Sequence, residues 1–291
     1  KELGIIQTAF AQICKGKKEV IMVTGYSGAG KSMLSNEIRN TIAKKKGHFI
    51  SGKFDQFQLD IPYSALAQAF KQLVQQLLTA NKEQIQAWKK ELLQALGSNG
   101  KIISTVIPEI EKIIGPQPDI IELPAEEAKN RFHLTFQNFV KIFCNTKHPL
   151  VIYLDDLQWA DLSTLTLLEV LVRDVEIKHL LLISTYREKE VHDLHPLMLL
   201  LKNLEQEKIT ISTIFLTPMS LTQIGQLLSD TLSCPEEDVY SLAELSLQKT
   251  EGNPFFLSQF LHSLHREGLI FFDRDNYKWR WDLKKIQQAG I

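Results

Sequence analysis

From Glu19 to Ser32 the chain reads Glu-Val-Ile-Met-Val-Thr-Gly-Tyr-Ser-Gly-Ala-Gly-Lys-Ser, a branched apolar run that ends in G-x-x-x-x-G-K-S. Residues of these types at this spacing grip phosphate. Gly25, Gly28 and Gly30 let the backbone turn tightly and bring its N–H groups onto phosphate oxygens with no Cβ in the way. The candidate binding residues are therefore Gly25, Tyr26, Ser27, Gly28, Ala29, Gly30, Lys31, Ser32 and Met33. Lys31 is expected to set a positive charge at the β- and γ-phosphates, and the Ser32 hydroxyl to ligate Mg²⁺. A helix starting there adds its positive N-terminal end. The spacing predicts a site for a nucleoside triphosphate.

Such a loop needs acidic residues to hold the metal and steer water. His148-Pro149-Leu150-Val151-Ile152-Tyr153-Leu154-Asp155-Asp156-Leu157-Gln158-Trp159-Ala160-Asp161 supplies them. Its apolar half reads as a core strand, and two carboxylates emerge at the C-terminal end, where open α/β sheets bind ligands. Side chains alternate along a strand, so Asp155 and Asp156 are expected to point apart and do different jobs. Asp155 would hold Mg²⁺ through a water, and Asp156 would orient and polarise the attacking water. Asp161 is expected to cap the following helix, since Leu162 opens a helical pattern with Leu165, Leu167 and Leu168.

The elements that position these residues follow from periodicity. Leu3, Ile6, Phe10 and Ile13 predict a helix before the first strand, and Leu34, Ile38 and Ile42 predict one after the loop. That second helix meets Lys44-Lys45-Lys46 and Gly47, cations at its negative end and a glycine stop. A short strand is expected over His48–Gly52. Leu66, Ala69, Phe70, Leu73, Val74, Leu77 and Leu78 then make a helical stripe. Another helix covers about 82–96, and Pro108, Pro116, Pro118 and Pro124 break the next stretch into short helix and linker. A long helix from Ala125 to about Cys144 carries Phe132, Phe136, Phe139, Val140 and Phe143, read as core because no basic stripe accompanies them. Strand signals return at Leu150–Leu154, His179–Thr185 and Ile209–Leu216, each rich in branched aliphatics and separated by helical patterns. This is the signature of an α/β doubly wound parallel sheet. Room remains between Lys31 and Asp155 for an extra strand between the two motif strands and a helical insert over about 62–145. That arrangement points away from simple kinases and toward the ATPase branch with an additional central strand.

After Pro218 the pattern changes. Ser220 and Gln223 form a capping box, and helices are expected at about 221–232, 235–249 and 254–267. Leu269–Phe272 and Tyr277–Trp281 flank the turn Asp273–Asn276 as a hairpin, with Tyr277, Trp279 and Trp281 on one face. The domains predicted are a core over 1–217 and, over 218–291, a helical lid ending in a winged-helix-like β-hairpin.

Composition narrows the function classes. The 291 residues are 44% hydrophobic and 23% charged, ordinary globular usage, and the net charge of −1 gives no global pull toward nucleic acid or anionic membrane. No apolar run approaches the roughly 18 residues of a membrane span. Cys14, Cys144 and Cys234 lie far apart and read as reduced packing residues of a cytoplasmic protein. The eight histidines, His262 and His265 included, lack a ligand set for a metal other than Mg²⁺. Lys1-Glu2-Leu3-Gly4 reads as a cut from a longer chain.

Gly25–Ser32, Leu154–Asp161, Ser184-Thr185-Tyr186-Arg187 and Gly252-Asn253-Pro254-Phe255-Phe256 together resemble the signal-transduction ATPases with numerous domains, the STAND class. These are AAA+-related nucleotide switches with a P-loop core of the ASCE type. Gly52-Lys53-Phe54-Asp55-Gln56 and Trp279-Arg280-Trp281-Asp282 resemble one branch of that class. In that branch a serine/threonine kinase domain precedes the ATPase, and GAF and histidine-kinase modules follow it in one bacterial polypeptide. The resemblance implies ATP or ADP with Mg²⁺ as ligands and slow hydrolysis coupled to signalling. It implies that Arg187 senses the γ-phosphate, where a cation also stabilises transition-state charge; an arginine paired to a surface carboxylate is the plainer alternative. It further implies that Pro254, near the first turn of a lid helix, packs on the adenine and couples the lid to nucleotide state. The family's Gly-Arg segment near the adenine would precede Lys1, so base recognition is expected to be incomplete here and any regulated output to lie past Ile291.

Two other functions compete with the switch. A remodelling motor would need rapid turnover and an arginine finger from a neighbouring subunit, and the sequence offers no clear one, with Arg131 and Arg173 left open. A DNA-binding regulator would use the lid hairpin, although only Lys278 and Arg280 interleave its aromatics. The expected partners are ATP and other domains of the same polypeptide, with self-association left open and neither membrane nor nucleic acid among them.

Overall fold

A computed structural model describes residues 2–44, 47–57 and 61–289. In chain order the elements are α1 (Glu2–Cys14), β1 (Lys18–Gly25), α2 (Lys31–Lys44), β2 (His48–Lys53), α3 (Ser64–Leu78), α4 (Lys82–Leu96), α5 (Gly100–Val106), α6 (Glu111–Ile114) and α7 (Ala125–Phe143). There follow β3 (Leu150–Asp155), α8 (Leu162–Arg173), β4 (Leu180–Tyr186), α9 (Pro196–Gln206) and β5 (Ile211–Leu216). The remainder is α10 (Leu221–Leu232), α11 (Glu236–Thr250), α12 (Pro254–Arg266), β6 (Ile270–Asp273), β7 (Lys278–Trp281) and α13 (Leu283–Gln288). Of the lysine run expected to close α2, Lys45 and Lys46 lie outside the described residues.

Five strands form one sheet in the order β2-β3-β4-β1-β5. The pairs β2/β3, β3/β4 and β4/β1 are parallel. β4 therefore lies between the phosphate-loop strand and the aspartate strand as the additional central strand, but it follows Asp155 in the chain; the strand within the interval from Lys31 to Asp155 is β2, at the edge of the sheet. β4 is buried along its whole length, and β3 is buried from Leu150 to Leu154, so both read as unbroken apolar runs rather than alternating ones. Registers Thr24↔Tyr186, Leu154↔Ser184 and Lys53↔Asp155 bring the C-terminal ends of β1, β4, β3 and β2 to one edge of the sheet.

The chain divides into two compact units. One holds the chain up to Thr24 together with Ser32–Phe215; the other holds Gly25–Lys31 and the chain from Leu216 onward. In the first, α3 and α7 meet through aromatic rings: Phe70 sits 5.5 Å from Phe136, edge to face, and 5.1 Å from Phe139. These phenylalanines are core, as expected. Cys144 is packed there and burial pushes its thiol up to about 12, with Lys18 opposing the shift. Cys14 departs from the expectation: it closes α1 on the outward side and is exposed.

In the second unit, the capping box forms at the start of α10, with Ser220 Oγ accepting from Gln223 N and Gln223 Oε1 from Ser220 N. Ile224, Leu228, Val239, Leu242, Leu257, Phe260 and Leu264 pack one small core, covered in part by Trp279 and Trp281. Tyr277 does not share that face. Asp273 Oδ1 accepts from the N–H groups of Asp275 and Asn276, and Tyr277 then takes a left-handed backbone (φ 51°) that closes the turn and leaves it 82% exposed. Past the hairpin, Asp282 caps α13, whose Ile286 is buried in the same core; the sequence reading had placed no helix there.

Candidate functional site

Within the second unit the phosphate loop lies against the start of α12. Gly28 and Gly30 both have left-handed φ (80° and 97°). No atom would meet a Cβ on Gly30, so its glycine answers to backbone conformation alone. Ala29 N–H closes a turn onto Tyr26 O at 3.2 Å. Lys31 Nζ donates to Gly25 O at 2.8 Å and to Tyr26 O at 3.0 Å. Pro254 occupies the first turn of α12, where a missing N–H costs nothing, and Asn253 caps that helix. Asn253 Nδ2 also donates to Ser27 O at 2.8 Å, a bond the sequence reading did not anticipate.

Within the first unit the acidic residues form a second cluster. Thr185, near the end of β4, donates its hydroxyl to Asp155 Oδ1 at 2.6 Å and accepts from Asp156 N–H at 3.0 Å. The strand ends at Asp155, because Asp156 takes a left-handed backbone (φ 58°). Strand alternation therefore does not separate the two carboxylates, which corrects the expectation: Lys53 Nζ lies 3.9 Å from Asp155 Oδ2 and 3.3 Å from Asp156 Oδ2, so one ammonium faces both. Asp156 is only 5% exposed. It accepts from Gln158 Nε2 at 3.0 Å and Arg187 Nε at 3.1 Å, and Lys53 Nζ lies 3.3 Å from its other oxygen. Burial works against the charged form, but the Gln158 hydrogen bond and the Arg187 and Lys53 cations outweigh it and hold the carboxyl below its ordinary value.

Arg187 is expected from sequence at a γ-phosphate. Here its guanidinium, 34% exposed, is paired with Asp156 and, at 2.8 Å, with Glu190. Gln158 joins the same network, donating to Glu190 Oε2 at 3.0 Å and accepting from Arg187 N at 3.2 Å. Lys53, Thr185, Gln158 and Glu190 were not singled out as site residues. For Lys53, Thr185 and Gln158 the signal available was membership in Gly52-Lys53-Phe54-Asp55-Gln56, Ser184-Thr185-Tyr186-Arg187 and Leu157-Gln158-Trp159; Glu190 lies outside all three.

Ser32, Ser35, Lys53, Gln68, Tyr153 and Asp155 are among the residues lining a cavity of about 190 Å³ in this unit. The Ser32 hydroxyl and the Asp155 carboxylate are hard oxygen donors of the kind Mg²⁺ takes, and Thr185 fixes the orientation of the second. The residues fit that ion. Burial, reinforced by the charges of Asp155 and Asp156, raises the Tyr153 hydroxyl, so it stays protonated and can donate. Met33 is 71% exposed and is not part of this lining. Asp161 caps α8 as expected, accepting from Thr164 N at 2.8 Å.

When bound, Mg²⁺ and a nucleoside triphosphate supply an electrophilic phosphoryl group. The chain's own residues can bind oxygen atoms (loop amides, Lys31, Ser32), keep one carboxylate ionised (Asp156) and hold a cation beside it (Arg187). The finger candidates are engaged within the chain: Arg173 pairs with Glu169 and Glu207 at 2.8 and 2.6 Å, and Arg131 donates to Ile121 O at 2.9 Å. In the hairpin, Arg280 pairs with Asp273 at 2.6 Å. Among the described residues no group of three or more His, Cys, Asp or Glu side chains is placed to hold a metal, and no helix is long and apolar enough to cross a membrane.

Comparison with known proteins agrees with this architecture. A family described as "AAA ATPase domain" matches residues 1–183. Hybrid signal transduction histidine kinase G of Dictyostelium discoideum is 30% identical over 356 aligned positions, covering 99% of this chain and 10% of that protein. Histidine protein kinase 1 of Candida albicans is 24% identical over 155 positions, 48% of this chain and 6% of that protein. The chain thus spans a tenth or less of the length of these relatives, which are eukaryotic kinases and give no support to a bacterial setting. Among solved structures, Cdc6p from Pyrobaculum aerophilum shares the fold, with a TM-score of 0.50 at 13% identity over 91% of this chain and 62% of that one.

Proposed function

The chain belongs to the AAA ATPase domain family, and on that premise we propose that it is an ATP-binding switch of the STAND class, hydrolysing ATP slowly with Mg²⁺. It serves as a regulatory module in a larger cytoplasmic signalling protein, and the names of its kinase relatives favour that setting. The core is residues 1–217 with the insert at about 62–145, and the lid is 218–291. Lys31 and the loop amides from Gly25 to Met33 take the phosphates, Ser32 and Asp155 the metal, and Pro254 the adenine side. Asp156 polarises water and Arg187 reads the γ-phosphate.

The observation that carries this reading is the tie between Arg187 and Asp156. The carboxylate assigned to water and the cation assigned to the phosphate neutralise one another in this structure. Each must give up its partner before it can work, and an ion pair held by Gln158 and Glu190 resists that exchange. Hydrolysis gated in this way is slow, and a slow hydrolase serves as a timer. The motor reading gains nothing comparable, since both candidate fingers are engaged within the chain.

The test is to denature the purified protein and identify any released nucleotide by chromatography, beside a Lys31→Ala variant. Near-stoichiometric ADP in the parent, lost in the variant, is the expected result. Added ATP should turn over below the roughly 1–10³ s⁻¹ usual for enzymes. An empty protein that turns ATP over rapidly would favour the motor, and one that neither holds nor binds nucleotide would overturn the assignment.

A further inference from the structure

We propose that Asn253 is a positioning residue for the phosphate loop, one that turns the Ser27 carbonyl away from the anion, and that Gly28, whose left-handed backbone already favours glycine, leaves the room it needs. The inference rests on the nucleotide-binding reading above and adds to it a residue outside the loop pattern.

A loop that binds phosphate must keep its carbonyl oxygens away from an anion while its N–H groups face it. Four successive carbonyls here are each met by a donor. Lys31 Nζ serves Gly25 O and Tyr26 O, and Ala29 N–H also serves Tyr26 O. The other two are served from α12: Asn253 Nδ2 donates to Ser27 O at 2.8 Å, and Phe255 N–H donates to Gly28 O at 3.3 Å. A trans peptide points its C=O and N–H in opposite directions. Drawing the Ser27 carbonyl onto Asn253 therefore directs the Gly28 N–H away from the helix.

The same amide does a second job. Asn253 Oδ1 accepts from Phe255 N at 3.0 Å and Phe256 N at 3.4 Å, capping α12. With one end on the helix and the other on the loop, the side chain has no rotamer to spare. Its backbone is held as well, with N–H on Thr250 O at 2.9 Å. The preceding Gly252 (φ 72°) packs so closely on Met219 that a Cβ would come within 2.4 Å of its carbonyl oxygen.

Gly28 supplies the complementary observation. It stands at a position the phosphate-loop pattern leaves open. A Cβ there would fall 2.5 Å from Asn253 Oδ1 and 2.9 Å from Phe255 Cβ, so the approach of Asn253 and Phe255 adds to the left-handed φ of 80° that already favours glycine at this position.

Capping alone would be met equally by Ser or Asp, and this makes the proposal testable. Asn253→Ser keeps a cap acceptor but falls short of Ser27; Asn253→Asp keeps the acceptor and has no N–H to give. The 291-residue chain and its variants are compared by titration with fluorescent ADP and ATP, by melting temperature, and by hydrogen exchange of residues 25–31 and 255–260 without nucleotide. Both variants should melt within about 3 °C of the parent and keep α12 amide protection. Both should exchange faster over 25–31 and bind nucleotide about three- to tenfold more weakly, the value of one hydrogen bond. Asn253→Asp should be the weaker of the two, because its carboxylate sits beside an anion site. If both variants bind and exchange like the parent, and only Asn253→Ala loses stability, Asn253 is a cap and the proposal is overturned while the ATP-binding reading stands. If the parent itself binds no nucleotide, the reading above fails, and the exchange of 25–31 still decides whether Asn253 holds the loop.

Discussion

Asp156 shows how a buried charge is kept at this edge of the sheet. Removing a carboxylate from water is costly unless its lone pairs are filled, and three donors from Gln158, Arg187 and Lys53 fill them. Because the native pKa lies below the ordinary one, the stability gained is fully present above about pH 4 and is lost as the pH falls through the native value. Asn keeps one acceptor oxygen for Gln158 and Arg187, gives up the oxygen that faces Lys53, and cannot polarise water as a base. Asp156→Asn is accordingly expected to cut single-turnover ATP hydrolysis by about 10²-fold or more, with nucleotide affinity within about threefold of the parent. Unchanged hydrolysis would remove Asp156 from the chemistry.

At the scale of elements, β2 and β3 carry a different device at their other ends. His48 opens β2 and His148 precedes β3, with ring centroids 5.1 Å apart. Burial first, and then the neighbouring His148, lower His48 to about 4 from 6.5, against a hydrogen bond to Gln76 that favours the charged ring. A histidine held neutral stabilises the fold above its unfolded pKa, and that contribution disappears as the pH falls from 6.5 toward 4. The loss is at most about 3 kcal/mol, reduced by what solvent still reaches the ring. His133 and His195, also lowered by burial, add in the same direction. A denaturant midpoint followed over that range should drop in the parent, and His48→Gln should flatten much of the drop. An identical pH profile in the variant would mean His48 is solvated.

The whole molecule is a chain of two compact units, so one melting temperature need not describe it. Any ligand bound only by the folded chain stabilises it by mass action, about 2.7 kcal/mol at a hundredfold excess over Kd. Mg²⁺ with ATP should therefore raise the principal melting transition by about 5 °C or more. ATP with a chelator should give a smaller rise, and Lys31→Ala none. A melting curve indifferent to Mg²⁺ would argue against Ser32 and Asp155 as a metal site.

The local patterns of this sequence determined the phosphate-loop pattern, the buried strands β1, β3 and β4, most helix ends and the caps on Ser220 and Asp161; β5, read as buried too, is buried only at Ile214. These patterns depend on spacing within a few residues, where backbone geometry and hydrogen-bond reach leave few choices. Strand β4 was legible as a branched apolar run, but the spacing from Lys31 to Asp155 did not locate it, because that interval holds β2 and the helical insert while β4 follows Asp155. Only the tertiary structure decided which partners the functional side chains take. Ser27 and Asn253 stand 226 residues apart, and no periodicity links them. Lys53 reaches Asp156 because β2 neighbours β3, and Arg187 reaches it because β4 flanks β3 on the other side. Sheet order is set by the total burial of the core, and so is the choice of which charge meets which.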